Sequence, residues 1–234
     1  MKTEIKIKSE KIAYWYFRLN GFLTIPNFVV HPDWGRGQRT DVDILGVRFP
    51  YRAELLENPM LDDEVFTKIK DKPYIIIAEV KSQTCNLNGP WTRREEKNMD
   101  RVLRAIGSFT NEVLEEVALK LYDEGIYKNE LYYLSLFCVG NQINRDLQRK
   151  YPNVPQITWD NILSFIYNRF EKYKDPKSAH TQWDSTGQQL WNNFLRCKDE
   201  NEFPSSMRKC NTWRNGPIGG TLGVYGETIH AHQS

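Results

Sequence analysis

The sequence predicts an α/β fold in which a mixed β-sheet is flanked by helices, and three observations carry that expectation. The first is an uninterrupted apolar run, Ile75 to Ala78 in "PYIIIAEVKS", which reads as a strand covered on both faces and therefore central. The second is a pair of amphipathic stretches, residues 9–20 and 157–173, whose apolar residues recur at helical spacing. The third is the order along the chain, which runs helix, strands, helix, strand, helices, without internal repeats.

Taken in order, "SEKIAYWYFRLN" reads as a helix with Ile12, Ala13, Tyr16, Phe17 and Leu19 on its apolar side. Ser9 is its expected N-cap and Asn20-Gly21 its stop. "FLTIPNFVV" is extended, and "HPDWGRGQRT" is a glycine-rich polar loop that leads into the strand "DVDILGVRFPY", 41–51. Residues 52–72 read as an acidic, irregular insertion with a short helix. After the strand at 74–80, residues 91–122 read as one long helix or two, with Met99, Val102, Leu103, Ile106, Phe109 and Val113 at helical spacing. "LYYLSLFCVG", 131–140, is a further strand. The helix at 157–173 carries Trp159, Ile162, Leu163, Ile166, Phe170 and Tyr173 on one side, and "STGQQLWNNFLR", 185–196, follows with Ser185 or Thr186 as cap. Five of the fourteen glycines lie between residues 216 and 226, a tail suited to turns or to a mobile end. The expected division is a core at 1–156 and a C-terminal helical extension with glycine-rich tail at 157–234, packed on the core. Trp159, Trp183 and Trp191 are expected to fill the space between them.

Composition sets further bounds. The chain has 234 residues, 40% of them hydrophobic and 13% aromatic, which is globular rather than disordered. No apolar stretch approaches the length of a membrane span, and "MKTEIKIKSEK" lacks the apolar run of a signal peptide, so a soluble, cytoplasmic protein is expected. A net charge of +2 gives no global attraction to nucleic acid, so any such contact must come from local patches. Four cysteines at 85, 138, 197 and 210 include no Cys-x-x-Cys pair, and the four histidines are scattered. Reduced thiols are expected, without a zinc site or a disulfide framework.

The chemistry points to the end of the central strand. Side chains alternate along a strand, so Glu79, Lys81 and Gln83 share a face. An ionised group at the edge of a core costs several kcal/mol unless it is paired or bound to a metal. Two readings stand: a Glu–Lys ion pair that closes an amphipathic strand, or a site. The chain holds three Glu-x-Lys pairs, and Glu4/Lys6 and Glu95/Lys97 have no comparable setting. Only Glu79/Lys81 closes an apolar strand, and only it follows a strand that carries acidic residues, Asp41 and Asp43.

An opening helix ending in Asn-Gly-Phe, then "TDVDILGV", then "IIIAEVKS", resembles the PD-(D/E)XK, or restriction-endonuclease-like, nuclease superfamily. The resemblance covers residues 9–110, with the strand at 131–140 as a later core element, and it rests on the order of elements more than on the letters. It implies a restriction-endonuclease-like mixed sheet and a Mg²⁺-dependent endonuclease that hydrolyses DNA phosphodiester bonds, with Mn²⁺ able to substitute. The implied setting is restriction or phage defence, alone, as a homodimer or within a larger defence complex, with no membrane role. In this resemblance Asp43 matches the metal-binding aspartate, Glu79 and Lys81 match the (D/E)XK pair, and Glu10 resembles the acidic residue that many members place near the metal. Val80 would add its backbone carbonyl, and Gln83 and Asp41 are accessory candidates. The literal Pro-Asp dipeptide is absent at Asp43. Pro32-Asp33 spells it, but "WGRG" follows, a loop rather than a strand. The long interval between Asp43 and Glu79 implies an insertion.

These residue types suit the reaction. Mg²⁺ prefers oxygen ligands and takes one or two carboxylates with water and substrate phosphate. Lys81 would orient the attacking water and stabilise charge in the transition state. The resemblance implies in-line attack by water and 5′-phosphate products. Each residue also has a structural reading: Asp43 as a turn cap, Glu79 and Lys81 as an ion pair, Glu10 as a first-turn acid favoured by the helix dipole. For nucleic-acid contacts, Arg94, Lys97, Arg101 and Arg104 would form one stripe if they share a helix, with Glu95, Glu96 and Asp100 as balancing charges. Arg36 and Arg39 form a second pair in the loop before Asp43. Trp91 reads as a packing anchor, and Arg208, Lys209 and Arg214 as contacts for DNA or a partner. The competing functions are a catalytically silent nuclease-fold module that binds DNA or a partner protein, and a nuclease acting on RNA or branched DNA.

Overall fold

The computed structural model describes residues 7–53, 57, 59, 61–179 and 184–209. The chain opens with helix α1 (Ser9–Leu19), then strands β1 (Phe22–Val30) and β2 (Thr40–Arg48), a short helix α2 (Glu64–Thr67) and strand β3 (Tyr74–Val80). Two 3₁₀ turns (Gly89–Trp91 and Arg94–Glu96) precede helices α3 (Asn98–Ile106) and α4 (Asn111–Glu124). Strands β4 (Ile126–Lys128) and β5 (Tyr133–Gly140) follow, then α5 (Arg145–Lys150) and β6 (Gln156–Thr158). The remaining helices are α6 (Trp159–Lys172), α7 (Lys174–Ser178), α8 (Ser185–Phe194) and α9 (Glu202–Lys209).

The six strands form one mixed sheet in the order β1-β2-β3-β5-β4, with β6 also paired to β5. β1, β2 and β3 are antiparallel neighbours, whereas β3 and β5 run parallel, which requires the helical crossover that α3 and α4 supply. All seven residues of β3 are buried, as expected for a central strand with both faces covered. Its side chains alternate between two cores. Tyr74, Ile76, Ala78 and Val80 pack with α1, α6, α8 and α9. Ile75 and Ile77 pack with Trp91 and with α3 and α4.

Several local expectations change. Ser9 is the first helical residue, and the N-cap position belongs to Lys8, without a side-chain cap bond. Asn20 and Gly21, with Gly21 at φ 80°, end α1 as expected. Residues 156–158 are strand, not helix, and α6 starts at Trp159 with Thr158 as cap. The cap of α8 is Asp184, whose Oδ1 accepts from the Gly187 backbone N–H at 2.7 Å and from Trp15 Nε1 at 3.0 Å. The expected boundary between 156 and 157 falls inside β6. The helices beyond it are one of the two layers that cover the sheet, since Ile162, Ile166, Phe170, Trp191 and Phe203 share a core with Ile76 and Val80. Trp159 and Trp191 are buried there as expected; Trp183, Arg214, Cys210 and the glycine-rich tail lie outside the described residues. Cys85, Cys138 and Cys197 are free thiols. Among the described residues no helix is long and apolar enough to cross a membrane.

Candidate active site

The site lies where β2 and β3 part. Their pairing stops at Ile44↔Ala78, one residue short of Asp43 and Glu79. β1 is interrupted at the same level: Asn27, at φ 51°, lies between the pairs Pro26↔Ile44 and Phe28↔Val42. Val42 packs into the core under α3 and Ile44 into the core under α1, so side-chain alternation is reset across Asp43. Asp43 reaches the neighbouring strand, and its Oδ2 accepts a hydrogen bond from the Val80 backbone N–H at 2.7 Å.

Glu79 is only 4% exposed. Its Oε1 accepts from Lys81 Nζ and from Asn88 Nδ2, and its Oε2 accepts from Trp91 Nε1 at 2.6 Å. Three donors thus hold a buried carboxylate that would otherwise be costly. The ion pair read from Glu-x-Lys forms, and it lies near enough to Asp43 for both of its charges to act on that carboxyl. Burial pushes the Asp43 carboxyl up to about 6; the negative charges of Glu79 and Asp41 act in the same direction, opposed by the Val80 hydrogen bond and the Lys81 charge.

Lys81 itself follows the last residue of β3. Its backbone is fixed on both sides, by its N–H to the Val139 carbonyl at 2.8 Å and by its own carbonyl, which accepts from Trp159 Nε1 at 3.0 Å. Beyond it the chain bends, so Gln83 is not on the strand face with Glu79 and Lys81 as the period-2 pattern requires. Gln83 instead lines a polar hollow of about 360 Å³ with Lys81, Ser82, Thr84, Asn86 and Asn144. The strand ends early because residues 83–85 bond to the chain that follows β5: Asn141 N–H donates to the Gln83 carbonyl and Cys85 N–H to Gln142 at 2.8 Å.

The remaining candidates divide. Asp41 is half-buried beside Asp43 and accepts from Gln38 Nε2 at 3.3 Å. Glu10 lies in the first turn of α1; its hydrogen bond among the described residues is from Ser9 Oγ at 3.4 Å, not from a residue of the Asp43–Glu79 fork. The expected basic stripe is not one helical face. Arg94 is in a 3₁₀ turn, Lys97 adopts φ 50° and breaks the chain direction, and only Arg101 and Arg104 belong to α3. Arg94 pairs with Asp123 and Arg104 bonds Asn111, so neither is uncommitted. Arg101 pairs with Asp33 at 2.7 Å, and Arg39 Nη2 donates to the Glu96 carbonyl at 2.9 Å. These two bonds tie loop 31–39 to the start of α3. Pro32-Asp33 lies in a loop, as expected. Arg208 pairs with Asp160.

Two residues that hold the site were not singled out from the sequence for that role. Asn88 is one. Trp91 is the packing anchor expected of it, and its indole N–H is also a donor to Glu79. The available signal was the turn "NLNGPW" close behind Glu79: a buried Trp needs an acceptor for its N–H.

The donor set suits a hard divalent cation. Asp43 Oδ1 accepts no hydrogen bond among the described residues, and two adjacent carboxylates with one pushed towards protonation are relieved by a cation between them. Among the described residues no group of three or more His, Cys, Asp or Glu side chains is placed to hold a metal. No protein-family model, no curated protein and no solved structure matches the chain.

Proposed function

We propose that this protein is a divalent-metal-dependent nuclease of the restriction-endonuclease-like kind, hydrolysing DNA phosphodiester bonds in the cytoplasm. The observation that carries the reading is the convergence of Asp43, Glu79 and Lys81 at the fork between β2 and β3, with a carboxyl displaced upward by its burial and by its neighbour. Asp43, one oxygen of Glu79 and the carbonyl of Val80 would hold Mg²⁺ or Mn²⁺. Bound there, the ion would supply charge neutralisation at the scissile phosphate and a water of lowered pKa. The chain's own residues do the rest. Trp91 and Asn88 fix the Glu79 carboxylate beside Lys81. Lys81, held at its backbone by Val139 and Trp159, places an ammonium where it can orient a water and meet negative charge developing on the phosphate.

A second reading has its own observation. Both oxygens of Glu79 already accept from Lys81, Asn88 and Trp91, an arrangement that also suits a catalytically silent module with the same fold. A cleavage panel of duplex DNA, branched DNA and RNA with Mg²⁺ or Mn²⁺ separates the two. The nuclease cuts at least one substrate with metal and none in chelator. Lys81→Ala and Asp43→Ala lower the rate by at least a hundredfold, a loss on the scale of one electrostatic donor, while melting as folded proteins. Undiminished cutting by folded Lys81→Ala rejects the assignment. Absence of metal uptake in calorimetry, with nucleic acid or a partner still bound, establishes the silent module.

A further inference from the structure

Trp34 is 91% exposed, at the tip of the loop between β1 and β2. Large aromatic side chains are mostly buried, and an indole left in water is a common mark of a contact surface. The loop is braced rather than loose. Arg39 N–H donates to the Val30 carbonyl at 2.9 Å, and His31 Nδ1 lies 3.1 Å from the Gly37 carbonyl. Asp33 is held by Arg101 and Arg39 by the Glu96 carbonyl, as described above. Gly35 and Gly37, at φ 96° and 97°, make the turns that carry Trp34 and Arg36 outward. β2 leaves this loop at Thr40, and Asp43 follows three residues on, about 10 Å along an extended strand.

The bracing ties the loop that carries Arg36 to the turn that precedes Lys97. Arg36, on the loop, and Lys97, at the start of α3, are exposed and make no ion pair among the described residues. Within residues 31–39 the indole has no apolar companion except Pro32, and the charges about it are mixed: Arg36 and Lys97 are exposed beside Asp33, Glu95 and Glu96, of which Asp33 pairs with Arg101 and Glu96 with Arg93. That composition fits a nucleic-acid strand better than an apolar protein surface, because every base offers a π-face and every phosphate a charge.

We propose that Trp34 is a base-stacking residue, its indole packing on a nucleobase of the substrate strand while Arg36 and Lys97 hold the adjoining phosphates. The proposal takes its ligand class from the nuclease reading of the nearby carboxylates. Stacking on an exposed indole is tolerant of sequence, so Trp34 positions the strand without selecting a site.

Fluorescence anisotropy of short labelled single-stranded and duplex DNA, in chelator and at low salt, tests it. Trp34→Ala weakens binding on the order of tenfold, Trp34→Phe retains most of the affinity, and both melt like the wild type. Arg36→Ala lowers the salt slope by about one phosphate contact. Three results overturn the proposal: no DNA binding by the wild type, Trp34→Ala affinity within about twofold of wild type, or a loss in Trp34→Phe equal to that in Trp34→Ala. The Mg²⁺ cleavage assay on the same preparations keeps the two readings apart. DNA binding that depends on Trp34 in a protein that never cuts preserves this proposal and rejects the nuclease; cutting with unchanged binding in Trp34→Ala does the reverse.

Discussion

Asp43 is the residue where folding and chemistry oppose each other. Its carboxyl is pushed up to about 6 chiefly by burial, so the folded chain binds that proton more tightly than the unfolded chain, where an aspartate titrates near about 3.9. The sign follows from linkage: the contribution to stability is complete below the unfolded value and is lost as pH rises through the folded one. Metal-free protein at neutral pH therefore carries a cost at this position, about 1 to 2 kcal/mol after allowance for partial solvent screening. Asp43→Asn keeps an acceptor for the Val80 N–H and removes the charge. It is expected to be more stable than wild type by that amount at pH 7.5 in chelator, with the gap closing towards pH 4; paired denaturant unfolding curves across this range measure it. A gap that does not change with pH would mean that Asp43 is not the group whose ionisation is resisted. Glu79 sits a short step away and is stabilised differently, by three hydrogen-bond donors that compensate its burial. Its type and position were legible in the sequence, because only one Glu-x-Lys closes an apolar strand. Its donors were not, because Asn88 and Trp91 reach it through a turn whose path no periodicity encodes.

At the scale of elements, the end of β3 is set by what lies beside it. The strand's ladder to β5 runs as far as Val80↔Val139, after which the chain bends and residues 83–85 bond to residues 141 and 142. Gly140 makes this approach possible, since a Cβ there would lie 2.7 Å from the Cys85 nitrogen and 2.8 Å from the Gln83 carbonyl oxygen. Both are backbone atoms and cannot rotate away. Gly140→Ala is expected to destabilise the protein by about 1 to 3 kcal/mol through overpacking and to displace the segment that leaves Lys81. Thermal melting and the cleavage rate read the two effects, and an unchanged melting temperature would show that the contact yields without cost. The same bend removes Gln83 from the face of Glu79. A period-2 pattern states which side a residue takes while the strand lasts, and it is silent on where the strand stops. The basic stripe fails for a related reason: the helical spacing of Arg94, Lys97, Arg101 and Arg104 presumes one helix, and Lys97 at φ 50° divides it.

At the scale of the whole molecule, the site depends on both layers. The layer of α3 and α4, with the preceding turns, supplies Trp91 and Asn88 to Glu79, and the layer of α1, α6, α8 and α9 supplies Trp159 to the Lys81 carbonyl. α8 is locked to α1 where a Cβ on Gly187 would overlap the Trp15 ring, and where Asp184 accepts from that indole. A chain cut after residue 156 would leave Ile76, Ala78, Val80, Phe137 and Val139 with α1 and α2 but without α6, α8 and α9, which complete their cover. Such a fragment is expected to aggregate or to lose fixed side-chain packing, visible as a collapsed near-UV circular dichroism signal; a cooperative unfolding transition in it would show that the core stands alone. The sequence by itself determined the central strand, the amphipathic helices and the candidates Asp43, Glu79 and Lys81. Alternation and helical spacing are local consequences of backbone geometry, and a charge that closes an apolar run is visible in one dimension. Only the tertiary structure decided that Asp43 turns to the Val80 N–H, that Asn88 and Trp91 hold Glu79, and that loop 31–39 is braced to α3. Those contacts join residues distant along the chain, and their geometry is fixed by packing and by the need to pair every buried polar group, not by any periodic signal.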